Sequence, residues 1–490
     1  MAGFFLIPLY TKLLTPSDYG NLFLLNSTYL VINLVAVGGF ENSFSRWFFD
    51  NEDAKDRIKT TSSWFWSQVF INLLLVGLFV PFIPYFISKF TTALPNPLIT
   101  VFCFVLATFF YILPSVYINY MRVTQQAKKT VSFTISFSVT TTLLSIIFVV
   151  FMHMNVLGIG LALFLSNFIF TVVAAILLKE KTAISAYSRK RAWEMFKFSY
   201  PFIPALLSYW ILQSTDSYFI KLLTHSSEQI GLFSLGLTIA SSIYVFTSAF
   251  QQIWPSYIFN AYTTMEEDRF KKIFAFFFEL YVVVYLFLQL NLTFFSYNII
   301  AIFSSNAAFQ PAYKVVGLIS LNTIIYSYLS FAAMGMSIKK VSAPLGIALT
   351  ISALVGVGLN FLFIPSLGFV GSALATILAS APVPVYVLLR SQKLYYFSLP
   401  SNKIMLLTGM AFLIVSWVVF YPTLLRGNWN DIFLKLSISL ACGAVLASIY
   451  YRPVKNMIPV LSGTEGAQSE STREVSEIEL SDVTIKDLNS

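Results

Sequence analysis

The chain is 490 residues long, 57% hydrophobic and only 11% charged, with 50 Phe and 26 Tyr. Apolar runs recur too often for a soluble domain built around one core, so the composition defines an all-α polytopic membrane protein. Two histidines, His153 and His225, are too few for a histidine-based metal site, and Cys103 and Cys442 lie in apolar runs with neither disulfide nor metal spacing. The net charge of +9 has topology as its cause and is no sign of a nucleic-acid partner.

Fourteen spans are predicted, at 2–14, 20–40, 62–88, 98–121, 130–152, 156–178, 198–221, 231–257, 273–300, 312–336, 343–365, 368–390, 403–424 and 431–451. With the N-terminus inside, 25 of the 31 basic residues fall on inner connections or on the tail. Only Lys12, Lys89, Lys221, Lys314, Arg426 and Lys435 lie toward the outside. By the positive-inside rule both termini are cytoplasmic, and a count of thirteen would scramble the asymmetry.

The first span would reach only ~20 Å as a helix, against a hydrocarbon core of ~30 Å. No basic segment precedes it, as one would in a signal peptide, and the expectation is that this helix begins upstream of Met1. On the second helix Asn26, Tyr29 and Asn33 share one face, with Glu41 roughly 80° further round. Such a stripe serves either as amide glue between helices or as a surface for sugars. Arg46 follows on the inner side; it is an orientation residue or, since a guanidinium grips phosphate oxygens in pairs, a diphosphate ligand. Lys12 and Lys221 hold equivalent positions near outer helix ends, where snorkelling to the interface is the expected behaviour.

The stretch from Phe198 to Leu222 organises the chain. It carries Pro201, Pro204 and a carboxylate, Asp216, and on a helix Tyr209, Gln213 and Asp216 fall on one face. A charge within a span costs at least ~2.5 kcal/mol, so it turns toward a partner or a wet cavity. This face is either a polar seam or a cavity wall. Glu41 and Asp216 are the acids most closely tied to spans, and each is a candidate for taking up a coupling cation, Na+ or H+, with Glu279 and Asn360 as weaker candidates. Gln251, Gln252, Trp254 and Pro255 suit a stacking and hydrogen-bonding surface for sugars; Trp254 equally suits an aromatic belt. From Gly463 to Ser490 the chain is polar and acidic, which reads as a disordered cytoplasmic tail.

The first six spans and the next six look like copies. KLLTPSDYGNLFLL from Lys12 matches KLLTHSSEQIGLFSL from Lys221, and VLGIGLALFLSN from Val156 matches SLGFVGSALATILAS from Ser366. Six is even, so the copies are parallel and related by an axis along the membrane normal, with a substrate path expected between them. The expected divisions are 1–197 (N-lobe), 198–400 (C-lobe), 401–455 (helices 13 and 14) and 456–490 (tail).

IPLYTKLLTPSDYGNLFLLN, GFENSFSRWFFD, FKFSYPFIPALLSYWILQSTDSYFI and LNFLFIPSLGFVGSALATILAS resemble the first, second, seventh and eleventh-to-twelfth helices of the Wzx-type flippases. These form the polysaccharide transport branch of the multidrug/oligosaccharidyl-lipid/polysaccharide exporter superfamily. The resemblance covers residues 1–455; the shortened first helix departs from the pattern. It implies two six-helix lobes in a V around a central cavity that opens alternately inward and outward in a bacterial inner membrane. It further implies an undecaprenyl-pyrophosphate-linked oligosaccharide as cargo, no enzymatic step, and partners among membrane lipid, a polysaccharide polymerase and a chain-length regulator. No Gly-rich phosphate loop, HExxH or long outer loop offers a catalytic site. The competing readings are a cation-coupled drug exporter and a membrane glycan polymerase or acyltransferase.

Overall fold

In lipid every backbone N–H and C=O needs an internal partner, so a chain this apolar can only be built from helices. The computed structural model describes residues 7–37, 40–50, 53–90, 94–179, 181–199, 207, 210–211, 214–304, 306–339, 341, 343–397, 399–420 and 429–461, and every regular element among them is a helix. The first half comprises α1 (Ile7–Leu13), α2 (Pro16–Val37), α3 (Phe40–Asp50), α4 (Ala54–Phe79), α5 (Ile83–Phe90), α6 (Pro97–Val123), α7 (Ala127–Ile146), α8 (Asn155–Leu178) and the connecting helix α9 (Arg189–Ser199). The second comprises α10 (Asp216–Thr224), α11 (Ser227–Ala240), α12 (Ser242–Thr264), α13 (Glu267–Phe303), α14 (Tyr313–Ser327), α15 (Leu329–Ala332), α16 (Met334–Ile338), α17 (Ala343–Leu367), α18 (Phe369–Ser380) and α19 (Pro382–Leu394). Two more, α20 (Ser401–Phe420) and α21 (Trp429–Leu461), close the chain.

Among the described residues eleven helices are long and apolar enough to cross a membrane, or twelve with α11 and the start of α12, which meet at a 42° bend, counted as one. The other two expected spans, 2–14 and 198–221, fall partly on residues outside the described ones, as does the acidic tail.

The matching loops of the two halves use matching chemistry. Before α2, Thr15 and Asp18 form a reciprocal cap: Thr15 N–H donates to Asp18 Oδ2 at 3.2 Å and Asp18 N–H to Thr15 Oγ1 at 3.1 Å. Before α11, Ser226 Oγ accepts from Gln229 N–H at 3.3 Å, while Gln229 Oε1 accepts from Phe369 N–H at 3.1 Å and so holds the start of α18.

The packing differs between the two ends of the molecule. Where the chain turns at 14–15, 94–96 and 152–154 and where α13 ends at Phe303, both halves share one core, with Leu14, Leu25, Phe104 and Val149 set among Leu232, Leu235, Ile300 and Phe309. Toward the end bearing the basic connections, the first half has a core of its own around Phe44, Trp64, Tyr117 and Phe170. Most of the second half packs around Phe274, Phe278, Tyr281, Leu321 and Phe331. The halves are thus fused at the turn end and packed separately toward the basic end.

Polar bonds pin the fused end. Thr11 Oγ1 donates to Phe303 O at 2.8 Å, and Thr28 Oγ1 and Tyr218 OH are 2.7 Å apart. Lys221 Nζ donates to Ser227 Oγ at 2.6 Å, and Ser227 Oγ donates to Asn21 Oδ1 at 3.0 Å. This corrects the expectation that Lys221 snorkels: it is 7% exposed, because α11 folds back over it. Lys12 is exposed.

Candidate transport cavity

Asp216 is the first residue of α10, and the backbone runs helically into it, with Thr215 N–H bonded to Ile211 O and Phe219 N–H to Thr215 O. Its Oδ1 accepts from Asn360 Nδ2 at 3.0 Å and its Oδ2 from Thr376 Oγ1 at 2.8 Å. Asn360, 3% exposed, is held in turn by Ser372 Oγ, which donates to its Oδ1 at 2.9 Å. Ser372, Thr376 and Ser380 recur every four residues on α18 and so share a face; Ser380 donates to Asn322 Oδ1. One carboxylate is thereby ringed by neutral oxygens and amides from three other helices.

This group lies between two cavities. The smaller, about 30 Å³, is bounded by Thr215, Asp216, Asn322, Asn360, Thr376 and Ser380 and has room for one water or one small ion. The larger, about 490 Å³, shares Asp216, Asn322, Tyr326 and Thr376 with it and extends past Ser241, Tyr244, Thr247 and Gln251. Hydroxyls, amides and aromatic edges over one carboxylate make a surface suited to polyols or sugars at its wide end and to a cation at its narrow end.

The sequence-predicted residues divide. Asp216, Asn360 and Gln251 meet at this cavity system. Tyr209 and Gln213 lie outside the described residues. Trp254 needs correction: it is 3% exposed, with its ring 5.1 Å from Phe250 and 4.6 Å from Phe331, so it is a core residue and offers no stacking face for a sugar. Glu279 pairs with Lys403 and accepts from Tyr450 OH at 2.7 Å, tying α20 and α21 to α13; it is not among the residues lining the cavity.

In the first half, Glu41 stands on α3 and accepts from Asn119 Nδ2 of α6. Asn33 turns back on its own helix, donating to Tyr29 O at 2.9 Å, while its buried Oδ1 has no partner among the described residues. Tyr29 OH accepts from Asn167 Nδ2 at 3.3 Å. These bonds join α2, α3, α6 and α8 as amide glue does. Arg46 is exposed, its guanidinium 5.1 Å from the Phe198 ring and 5.5 Å from the Trp47 ring.

Asn322, Tyr326, Thr376 and Ser372 were missed by sequence reasoning, although the four-residue recurrence on α18 was visible. Hydroxyls in spans mostly bond their own preceding turn, as Thr28 does to Leu24 O at 2.9 Å, so they carry little signal alone.

This arrangement defines a multi-pass, all-α membrane protein with a polar cavity in its second half and its halves joined at one end. Solved transporters have the same fold. A lipid II flippase MurJ in an inward closed conformation superposes with a TM-score of 0.70 at 16% identity, covering 92% of this chain and 97% of that one. An inward-facing multidrug resistance MATE family transporter of the MOP superfamily gives 0.67 at 13% identity, covering 84% and 96%. A MATE in the straight conformation gives 0.54 at 13%, covering 84% and 94%. No curated protein sequence matches the chain. The family model for polysaccharide biosynthesis proteins matches residues 1–258, more than half of the sequence, and the chain belongs to that family.

Proposed function

We propose that the protein is a flippase moving an undecaprenyl-pyrophosphate-linked oligosaccharide across a bacterial inner membrane by alternating access. It acts as a carrier, not an enzyme. Residues 1–197 and 198–400 form the two lobes, and the basic connections and both termini face the cytoplasm. The observation that carries this reading is Asp216, held by Asn360 and Thr376 beside a cavity of about 490 Å³ rich in hydroxyl and amide groups. A charge inside a span marks a substrate or ion path. The MurJ whose fold this chain shares is a lipid II flippase, which supports a lipid-linked cargo here.

In this reading a coupling cation occupies the narrow end. Among the described residues no group of three His, Cys, Asp or Glu could hold a metal, and one carboxylate with neutral oxygens matches a single positive charge, Na+ or H+. Arg46 receives the diphosphate at the basic end, and the sugars follow the polar wall past Gln251. A polymerase and a chain-length regulator then act on the delivered unit.

The test is complementation of a strain deleted for this protein, scored by surface polysaccharide and by lipid-linked oligosaccharide left facing the cytoplasm. Restoration by the wild-type chain with clearance of the inner-leaflet intermediate is expected. Unchanged intermediate alongside altered efflux of small cations would overturn the reading in favour of a drug exporter.

A further inference from the structure

A second cavity, of about 480 Å³, lies at the basic end of the first half and shares no lining residue with the one at Asp216. Its walls include Phe48, Arg57, Tyr120, Gln125 and Lys181, with Phe49 at 58% exposure beside them. In the sequence Arg57 and Lys181 read only as orientation residues. Here they are two cations converging from different elements, α4 and the connection after α8, on one concavity.

The cavity is built rather than incidental. The Arg57 guanidinium sits 5.2 Å from the Phe48 ring, a cation–π placement that fixes its fork. The connection carrying Lys181 is stapled to α4: Ser62 Oγ donates to Lys181 O at 3.3 Å, Trp66 Nε1 to Thr182 O at 3.1 Å, and Ser188 N–H to Ser63 Oγ at 3.0 Å. Arg191 grips both oxygens of Asp56 at 3.0 and 3.1 Å, so a neighbouring carboxylate is already bound to a cation. Two basic residues, a glutamine and a tyrosine thus line one hollow at the ends of the spans, with an exposed phenylalanine among them.

We propose that this pocket binds the phosphate head group of an anionic membrane lipid. Basic hollows between helix ends select such head groups, and guanidinium is the side chain best matched to phosphate oxygens. Phe49 argues for a lipid over a soluble phosphate, because it gives an acyl chain apolar surface beside the charged floor. The site is independent of the transport cavity and of the cargo assigned to it.

The test uses the full chain in detergent, loaded from mixed phosphatidylglycerol and phosphatidylcholine, with retained lipid counted by native mass spectrometry. The wild type is expected to keep phosphatidylglycerol preferentially. Arg57→Gln and Lys181→Gln are each expected to lower retention roughly fivefold and together roughly thirtyfold, while Arg57→Lys, which keeps the charge and loses the fork, is expected to fall between wild type and Arg57→Gln. If Arg57→Gln fails to fold, Lys181→Gln, on an exposed side chain, carries the test alone. Equal retention by the folded variants overturns the site. Retention of inorganic diphosphate in preference to phosphatidylglycerol at equal concentration overturns the lipid assignment in favour of a soluble phosphate. Asp216→Asn is expected to leave retention unchanged, so failure of this site and failure of the transport reading are distinguishable.

Discussion

Gly20 and Gly231 meet reciprocally where α2 crosses α11. A Cβ on Gly20 would lie 2.0 Å from Ser227 O, and one on Gly231 would lie 1.8 Å from Pro16 O. Gly20 and Gly231 are equivalent in the sequence repeat, and so are Pro16 and Ser227, so the contact is self-complementary across an internal two-fold. Each glycine lets the backbone of the opposite half approach closer than any side chain permits, as at small-residue crossings in membranes.

The crossing predicts a sharp contrast between glycines. Gly231→Ala puts a methyl group into the backbone of the other half and is expected to cost about 1–3 kcal/mol, as overpacking does. Gly346→Ala on α17 meets nothing within 4 Å and, as alanine does for an unhindered helical glycine, is expected to hold or slightly raise the thermal midpoint in detergent. Equal midpoints for the two variants would show that the halves are not in contact at Gly231.

If transport requires the fused end to part, a covalent bond across it must stop transport. Ser227 Oγ donates to Asn21 Oδ1 at 3.0 Å, so the two positions are neighbours across this end and suit a cysteine pair once Cys103 and Cys442 are replaced. Asn21→Cys with Ser227→Cys is expected to transport when reduced and to stop when oxidised, reversibly. Full transport by the oxidised protein would mean that this end never opens.

At Asp216 the expectation is graded by chemistry. Asp216→Asn keeps the shape and removes the charge, so the protein is expected to insert and accumulate normally while transport falls more than about tenfold. Thr376→Ala removes a single hydrogen bond to the same carboxylate, worth roughly 1.5–3 kcal/mol when the acceptor is charged, and should fall between that variant and wild type. Surface polysaccharide unchanged in Asp216→Asn at equal protein level would reduce the residue to helix glue.

Much of this was legible in the sequence because membranes make it so. Spans announce themselves by length and hydropathy, and Asp216 stood out because a charge in lipid is conspicuous. The repeat pointed to the two segments that cross at Gly20 and Gly231, though nothing in it told which residues touch. Lys221 and Trp254 misled for a common reason: both residue types favour the membrane interface on average, and here tertiary packing buries them instead. Thr376 and Ser372 stayed hidden because a hydroxyl in a span bonds its own helix as readily as a ligand site. The basic hollow at Arg57 was invisible because the same residues satisfy the orientation rule whether or not they converge.

Arg46 gives the most direct test of an anionic cargo. It is exposed on α3, and its guanidinium lies against Phe198 and Trp47 at 5.1 and 5.5 Å, so its plane is steadied. A diphosphate approaching from the basic end would meet a fixed, forked cation. Lysine keeps the charge but loses both the fork and much of the stacking, so it should rescue only in part. The expected order of transport is wild type, then Arg46→Lys, then Arg46→Ala, with all three inserted to the same level. Removing the fork should cost roughly 1.5–3 kcal/mol in the alanine variant, the worth of a hydrogen bond to a charged group, or about tenfold or more in rate at limiting cargo. Added salt should weaken wild-type transport more than that of the alanine variant, because only the former relies on an exposed charge. If alanine transports as well as wild type at low salt, Arg46 serves orientation alone and the diphosphate must be met by another cation.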